Sequence, residues 1–310
     1  MADFIRVSTN PPPTNAELFD FEGAGGKLRA ATFTAHNALG GVVLMAGRVE
    51  FIEKYFEVIG DLQARGLSVA TMDWRGQGRS ERLLADPLKG HIDSFATFKN
   101  DLRLFTEEVA RKRFSGPLFL LTHSMGGLPG LLLLADGYDA FSGAVLSAPM
   151  TRFFASPVMR AYSKTVSGLA CALGAGGARI PGVKEYSLQF EGNLLTTDPK
   201  RHARFLAIQE AAPDALVREP TFGWVKSATD AIDSIHRPHA FDKLKTPVLI
   251  VSAEKDGLID ASDHQIIAAQ SPLIECVTIK GALHELLMER DEIRDQFWKL
   301  FDDFLRPRLG

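Results

Sequence analysis

Two cysteines in 310 residues are too few to staple a fold of this length, and Cys171 and Cys276 lie far apart, outside any C-x-x-C pair. A disulfide scaffold is therefore not expected, and both thiols read as small buried apolar side chains. An excess of charge of one sign is also missing. The chain carries 35 Lys and Arg against 38 Asp and Glu, a formal net charge of -3. That balance leaves no general basic footprint for nucleic acid. No apolar run approaches the roughly 20 residues needed to span a bilayer. The N-terminus has no cationic cluster followed by an apolar stretch, so no secretion signal is read there and a soluble, cytoplasmic protein is expected. Repeats are absent, and the only biased stretch is Pro11-Pro12-Pro13. Gly23-Ala24-Gly25-Gly26-Lys27 and Gly76-Gln77-Gly78-Arg79-Ser80 match neither a dinucleotide nor a phosphate-loop pattern and read as turns. His284-Glu285-Leu286-Leu287-Met288 opens like a zinc-protease helix but lacks the second histidine. No metal site, no cofactor and no protein partner are expected.

What is present suits a globular enzyme. Hydrophobic residues make up 45% of the chain, enough for a large core. Short apolar runs flanked by glycine or proline, at 28–34, 41–45, 67–73, 118–122, 144–148, 248–252 and 274–279, have the character of strands buried on both faces. Between them lie helix-period stripes. One holds Phe51, Tyr55, Ile59 and Leu62 before Gly66; a second runs Phe95, Phe98, Leu102, Phe105, Val109 into Arg111-Lys112-Arg113; a third closes the chain from Ile293 to Phe304. Alternating strands and helices imply an α/β fold with a mostly parallel sheet covered on both faces. The rhythm breaks after Pro149. Residues 1–150 and 237–310 are expected to form the core, and 151–236 a helical insertion within it.

The segment Leu121-Thr122-His123-Ser124-Met125-Gly126-Gly127 runs from an apolar strand through a serine into small residues and an apolar helix. That is the form of a nucleophile elbow, G-x-S-x-G, although Thr122 stands where the pattern has its first glycine. A serine hydroxyl needs a base within hydrogen-bond reach. His284, just past the last expected strand and before the terminal helix, is best placed; His123 occupies the variable position of the elbow. An orienting acid should fall between serine and histidine in chain order. Asp256, on the loop after a buried strand, fits that place, with Glu254 and Asp260 as competitors.

With these pieces in order, the sequence resembles the monoacylglycerol lipase and lysophospholipase L2-like branch of the α/β-hydrolases, within the serine aminopeptidase S33-type enzymes. The shared marks are His123-Ser124-Met125-Gly126-Gly127, Asp73-Trp74-Arg75-Gly76-Gln77-Gly78-Arg79-Ser80, Gly90-His91-Ile92-Asp93, and the Asp256 and His284-Glu285 segments. The resemblance implies the α/β-hydrolase fold with a helical cap, and catalysis by Ser124, Asp256 and His284. It implies an oxyanion hole from the backbone N–H groups of Met125 and Arg48. The implied substrate is a lipid ester, a lysophospholipid or monoacylglycerol, with serine aminopeptidase or non-catalytic ligand binding as alternatives. An aminopeptidase would need cap carboxylates for the substrate amine, and Glu185, Glu191 and Glu210 are available. The Arg48 side chain has two readings, a substrate phosphate or a nearby carboxylate such as Glu50, and the second is expected. In the insertion, Phe154, Val158, Tyr162, Val166 and Leu169 share one helical face, with Arg152, Arg160 and Lys164 on another. Such a helix allows peripheral contact with an anionic membrane surface, at the inner membrane face. An apolar inner face including Trp224 would suit an acyl chain.

Overall fold

The computed structural model describes residues 3–181 and 189–309. Eight strands form one sheet in the order β1-β2-β4-β3-β5-β6-β7-β8. They are β1 (Ala16–Gly23), β2 (Gly26–Phe33), β3 (Gly40–Met45), β4 (Leu67–Met72), β5 (Leu118–His123), β6 (Gly143–Ser147), β7 (Val248–Ala253) and β8 (Ile274–Ile279). From β4 across to β8 every pairing is parallel; β2 meets β4, and β1 meets β2, antiparallel. The expected runs all fall on strands. β1 was not anticipated, because its sequence AELFDFEG alternates and stays half-exposed at the sheet edge instead of forming a continuous apolar run. The glycines at 23–26 make its hairpin turn, with Gly26 at φ +146°.

Helices cover both faces: α1 (Phe56–Ala64), α2 (Phe95–Phe105), α3 (Arg111–Arg113), α4 (Gly127–Ala135), α8 (Asp263–Ala268) and α9 (Asp291–Leu305), with α5 (Pro157–Ala172), α6 (Pro199–Ala211) and α7 (Phe222–Ile235) between β6 and β7. Each of these last three begins at a polar cap that satisfies orphan backbone donors. The Ser156 hydroxyl accepts from Met159 N, the Asp198 carboxylate from Lys200 and Arg201 N, and the Thr221 hydroxyl from Trp224 N. Proline at the first turn of α5 and α6 presets the backbone dihedral there.

The Gly90-His91-Ile92-Asp93 turn ties this helical stretch to the core. His91 Nδ1 lies 2.7 Å from the Thr221 hydroxyl at the cap of α7, and Gly90 N donates to Glu219 O at 3.0 Å. The cations expected on an open face of α5 are turned to the protein's own carboxylates instead: Arg152 to Asp263, Arg160 toward Asp260 and Lys164 to Asp233. The face left in solvent is apolar. Phe154, Val158, Tyr162, Leu169 and Leu173 are each more than half exposed. Cys171 and Cys276 are free thiols, as expected, but each is only partly buried where a buried side chain was expected.

Candidate active site

In-phase parallel pairing sets the ends of the central strands side by side. Met45 of β3 is level with Thr122 of β5, His123 with Ser147 of β6, and Ala253 of β7 with Ile279 of β8. The loops that follow therefore open at one edge of the sheet, where ligands bind in folds of this kind. At the end of β5 the chain reverses sharply, with Ser124 at φ +50°, a left-handed conformation that L-residues seldom adopt. The sharp turn requires small neighbours. A Cβ on Gly126 would stand 2.5 Å from Ala46 O, and one on Gly127 would stand 2.4 Å from Pro149 Cβ. Thr122 fits in place of the first glycine because α4 presents glycine opposite it: a Cβ on Gly130 would already lie 3.5 Å from Thr122 Cγ2.

Ser124, His284 and Asp256, drawn from three loops, form one hydrogen-bonded chain. His284 Nε2 lies 2.8 Å from Ser124 Oγ, and His284 Nδ1 lies 2.6 Å from Asp256 Oδ2. Asp256 Oδ1 accepts the N–H groups of Leu258 and Ile259 at 2.9 and 3.0 Å. Burial alone would raise the Asp256 pKa; the hydrogen bond and charge of His284 and these two amides outweigh it and hold the carboxyl below its ordinary value. The competing acids are engaged elsewhere. Glu254 accepts from Gly281 N, and Asp260 from the Ser262 hydroxyl. The His123 ring packs against His284 at a tilt of 52°, with centroids 4.9 Å apart, and its Nδ1 lies 3.2 Å from Ser147 O. Burial lowers its pKa to about 3, so the ring is neutral.

The loop after β3 carries Arg48 beside the elbow, and the Asp73–Ser80 motif is built around it. Trp74 Nε1 donates to Ala46 O at 2.8 Å. Val49, at φ +65°, donates its N–H to Gln77 Oε1 at 2.6 Å, and Gln77 Nε2 reaches Met125 Sδ at 3.5 Å. Asp73 accepts from Ile52 N and Arg79 N at 2.9 and 2.8 Å. One side chain, Gln77, thus touches both the loop and the residue after Ser124. Reading the motif's glycines as turns located the bend but missed this role; the polar residues between the glycines were the available signal.

The expected Arg48–Glu50 pair is not formed. The Arg48 guanidinium donates to the carbonyl of Arg218 and lies over the Trp224 ring, 5.3 Å from its centroid. Glu50 is taken by other donors. Gly47 N at 2.5 Å and the Tyr55 hydroxyl at 2.6 Å share one oxygen, and Lys54 Nζ at 2.7 Å meets the other. Lys54 also donates to Glu285 Oε1 at 2.5 Å. Donor atoms of Glu50, His123 and Glu285 lie within 4.8 Å of one another, a grouping able to hold a cation, and the Lys54 ammonium already bonds both carboxylates.

Ser124 and His284 open on a pocket with about 820 Å³ of empty space, part of it continuous with solvent. Its apolar wall is Leu195, Phe205, Leu206, Leu258 and Met288; Glu50, Lys54 and Glu285 supply polar lining. Trp224 is not on this wall but packs between Phe95 and Phe153. Residues 194–196 run along the histidine loop, where Glu285 N donates to Leu195 O at 2.8 Å and the Thr196 hydroxyl to Met288 O at 2.7 Å. Glu191 and Glu210 are exposed and away from the pocket wall, and Glu185 lies outside the described residues. The arrangement can pass a proton from a serine hydroxyl to an imidazole beside an apolar cavity.

Comparison with known proteins gives one consistent grouping. A sequence model of the family described as serine aminopeptidase, S33, matches residues 36–291. A probable lysophospholipase L2 of Haemophilus influenzae is 31% identical over 265 residues, covering 85% of this chain and 83% of that protein. A monoacylglycerol lipase of Mycolicibacterium smegmatis is 26% identical, covering 88% and 91%. Among solved structures, a soluble variant of monoglyceride lipase from Saccharomyces cerevisiae, in complex with a substrate analog, superposes with a TM-score of 0.76 at 20% identity, covering 95% of this chain and 97% of that one.

Proposed function

The chain belongs to the family described as serine aminopeptidase, S33, and from that premise we propose that it hydrolyses lipid carboxylic esters, lysophospholipids or monoacylglycerols, through an acyl-serine intermediate on Ser124. The observation that carries this reading is the unbroken chain Asp256–His284–Ser124 at the mouth of an apolar-walled pocket. His284 Nε2 takes the hydroxyl proton as Ser124 Oγ bonds to the ester carbonyl carbon. The carbonyl oxygen becomes an oxyanion, held by the backbone N–H groups of Met125 and Arg48. Collapse breaks the bond to the alcohol oxygen, which leaves with the proton from His284. Water then repeats the sequence on the acyl-serine, releasing the fatty acid and restoring Ser124. Asp256 stays ionised throughout, fixing the imidazole tautomer and stabilising the imidazolium.

Residues 151–236 act in this reading as the cap, because Phe205 and Leu206 of α6 form part of the pocket wall. No helix among the described residues is long and apolar enough to cross a membrane. The solvent-facing apolar stripe of α5 suits shallow insertion into a lipid surface, the place where such esters reside. Peptide-bond cleavage finds less support. Among the described residues, the carboxylates on the pocket wall, Glu50 and Glu285, are already bonded to Lys54 and so are not built to hold a substrate amine.

Intact-lipid profiling with p-nitrophenyl acyl esters and aminoacyl anilides as companions tests the reading. Wild type is expected to release fatty acid from a lysophospholipid or monoacylglycerol, and Ser124→Ala to lose roughly 10⁴-fold or more in rate. Anilide turnover without ester turnover, or an active Ser124→Ala variant, would overturn it.

A further inference from the structure

Lys54 is a buried ammonium that the mechanism above does not use. Its side chain is 2% exposed, and its charge survives there only because it is shared among built partners. Burial alone would lower its pKa, but the Glu285 and Glu50 carboxylates outweigh that and raise it. The three donors are accounted for: one to Glu50 at 2.7 Å, one to Glu285 at 2.5 Å, and a third side facing the Phe205 ring of α6, 4.4 Å from its centroid.

Each partner belongs to a different part of the site. Glu50 accepts the N–H of Gly47, the residue before Arg48, so its carboxylate sets the loop expected to bind the oxyanion. A Cβ on Gly47 would stand 2.9 Å from that carboxylate and 3.2 Å from His123, so the loop is pressed directly onto this cluster. Glu285 follows His284 in the chain. Phe205 forms part of the pocket wall on the helix that covers the site.

We propose that Lys54 is a positioning residue: through Glu50 and Glu285 it holds the loop carrying Arg48 and the loop carrying His284 in register, with α6 seated on it through Phe205. This rests on the serine hydrolase reading. The charged and titratable groups facing the ammonium are Glu50, Glu285, Tyr55 and His123, with His284 beyond the His123 ring. Without the ammonium, two buried carboxylates share one space with no cation. They repel each other and pull the loops apart.

The test compares wild type, Lys54→Met and Glu285→Gln by the rate at which a fluorophosphonate labels Ser124, and by kcat and KM on a p-nitrophenyl ester. A misplacement of about 1 Å is worth about 10²-fold in rate, and that fall in kcat is expected for Lys54→Met, with KM little changed. Labelling slows in parallel. Glu285→Gln removes the charge from the link to the histidine loop, leaving at most a neutral hydrogen bond there, and keeps the ammonium paired with Glu50. It is expected to lower kcat less, with cooperative unfolding preserved, and it decides the matter if Lys54→Met does not fold. A folded Lys54→Met, or failing that Glu285→Gln, with wild-type kcat and labelling rate overturns the proposal alone. A wild type that the probe never labels overturns the hydrolase reading instead.

Discussion

Every residue of β3, β4, β5, β6 and β7 is buried, whereas α5 buries only Ser167 fully and leaves Val158, and Leu173 at its C-cap, about three-quarters exposed. The two regions are held by different forces. The sheet and its helices share one continuous apolar core, from Leu28 to Leu305. Of the helices between β6 and β7, α7 joins that core through Trp224, Ala228, Ala231, Ile232 and Ile235, whereas α5 and α6 are fastened in large part by polar contacts. α6 is clamped at Glu57, whose carboxylate accepts from Arg201 at 2.6 and 2.9 Å, Arg204 at 2.6 Å and Arg294 at 3.1 Å. The start of α7 is tied to His91. Apolar burial is non-directional and sums over many contacts, so it suits a frame that must hold three loops to within hydrogen-bond tolerance. Ion pairs and caps localise the hold at a few points, so the covering helices respond to fewer changes, and to pH.

Mutations should separate the two regimes. In the core, Leu121→Ala, just before the elbow, is expected to cost about 2–5 kcal/mol because the cavity it leaves cannot close in a fully packed sheet. Denaturant unfolding measures this; a cost near zero would mean that the core is not the rigid partner. At the α6 clamp, Glu57→Gln is expected to cost about 1–3 kcal/mol, since Arg201, Arg204 and Arg294 lose a shared charged acceptor. Burial raises the Glu57 pKa, but its bonds to Arg201, Arg204 and Arg294 prevail and bring it from 4.5 to about 2. Its stabilising contribution is thus complete above the ordinary carboxylate range and is lost as pH falls from there toward about 2. Hydrogen exchange in α6 should quicken over that window before exchange in β5 does, and simultaneous loss would erase the contrast. On the α5 face, Val158→Ser with Leu173→Ser is expected to shift stability within about 0.5 kcal/mol per site, because these side chains have little packing to lose. The same pair should weaken flotation with neutral phosphatidylcholine vesicles. Unchanged flotation would remove the membrane role of this stripe, and a large loss of stability would show the stripe to be packed.

What could be read in advance follows the same division. Buried parallel strands announce themselves as unbroken apolar runs, and only β1, half-exposed and alternating, escaped notice. Ser124, Asp256 and His284 were singled out by chain order and by their places after strands, and they lie in one hydrogen-bonded chain. Trp74 and Gln77 were legible only as members of a shared motif, without their contacts, and Lys54 gave no signal. Apart from Glu50, four residues from Lys54, the partners stand 28, 48 or 231 residues away, and nothing local records which loop a side chain will meet. Arg48 illustrates the same limit. Proximity along the chain suggested Glu50, but the turn at Val49 sends the guanidinium to Trp224 and the Arg218 carbonyl, while Glu50 turns to Lys54.

Hydrophobic pattern and motif order, both local properties, by themselves determined the class of fold, the strand-turn-helix around Ser124 and the residue types brought to one sheet edge. Tertiary packing alone decided which side chains hold the loop around Arg48, where the cations of α5 point, and which residues wall the pocket. Burial makes each unpaired charge or donor costly, so these groups take whichever partner the assembled fold places within reach.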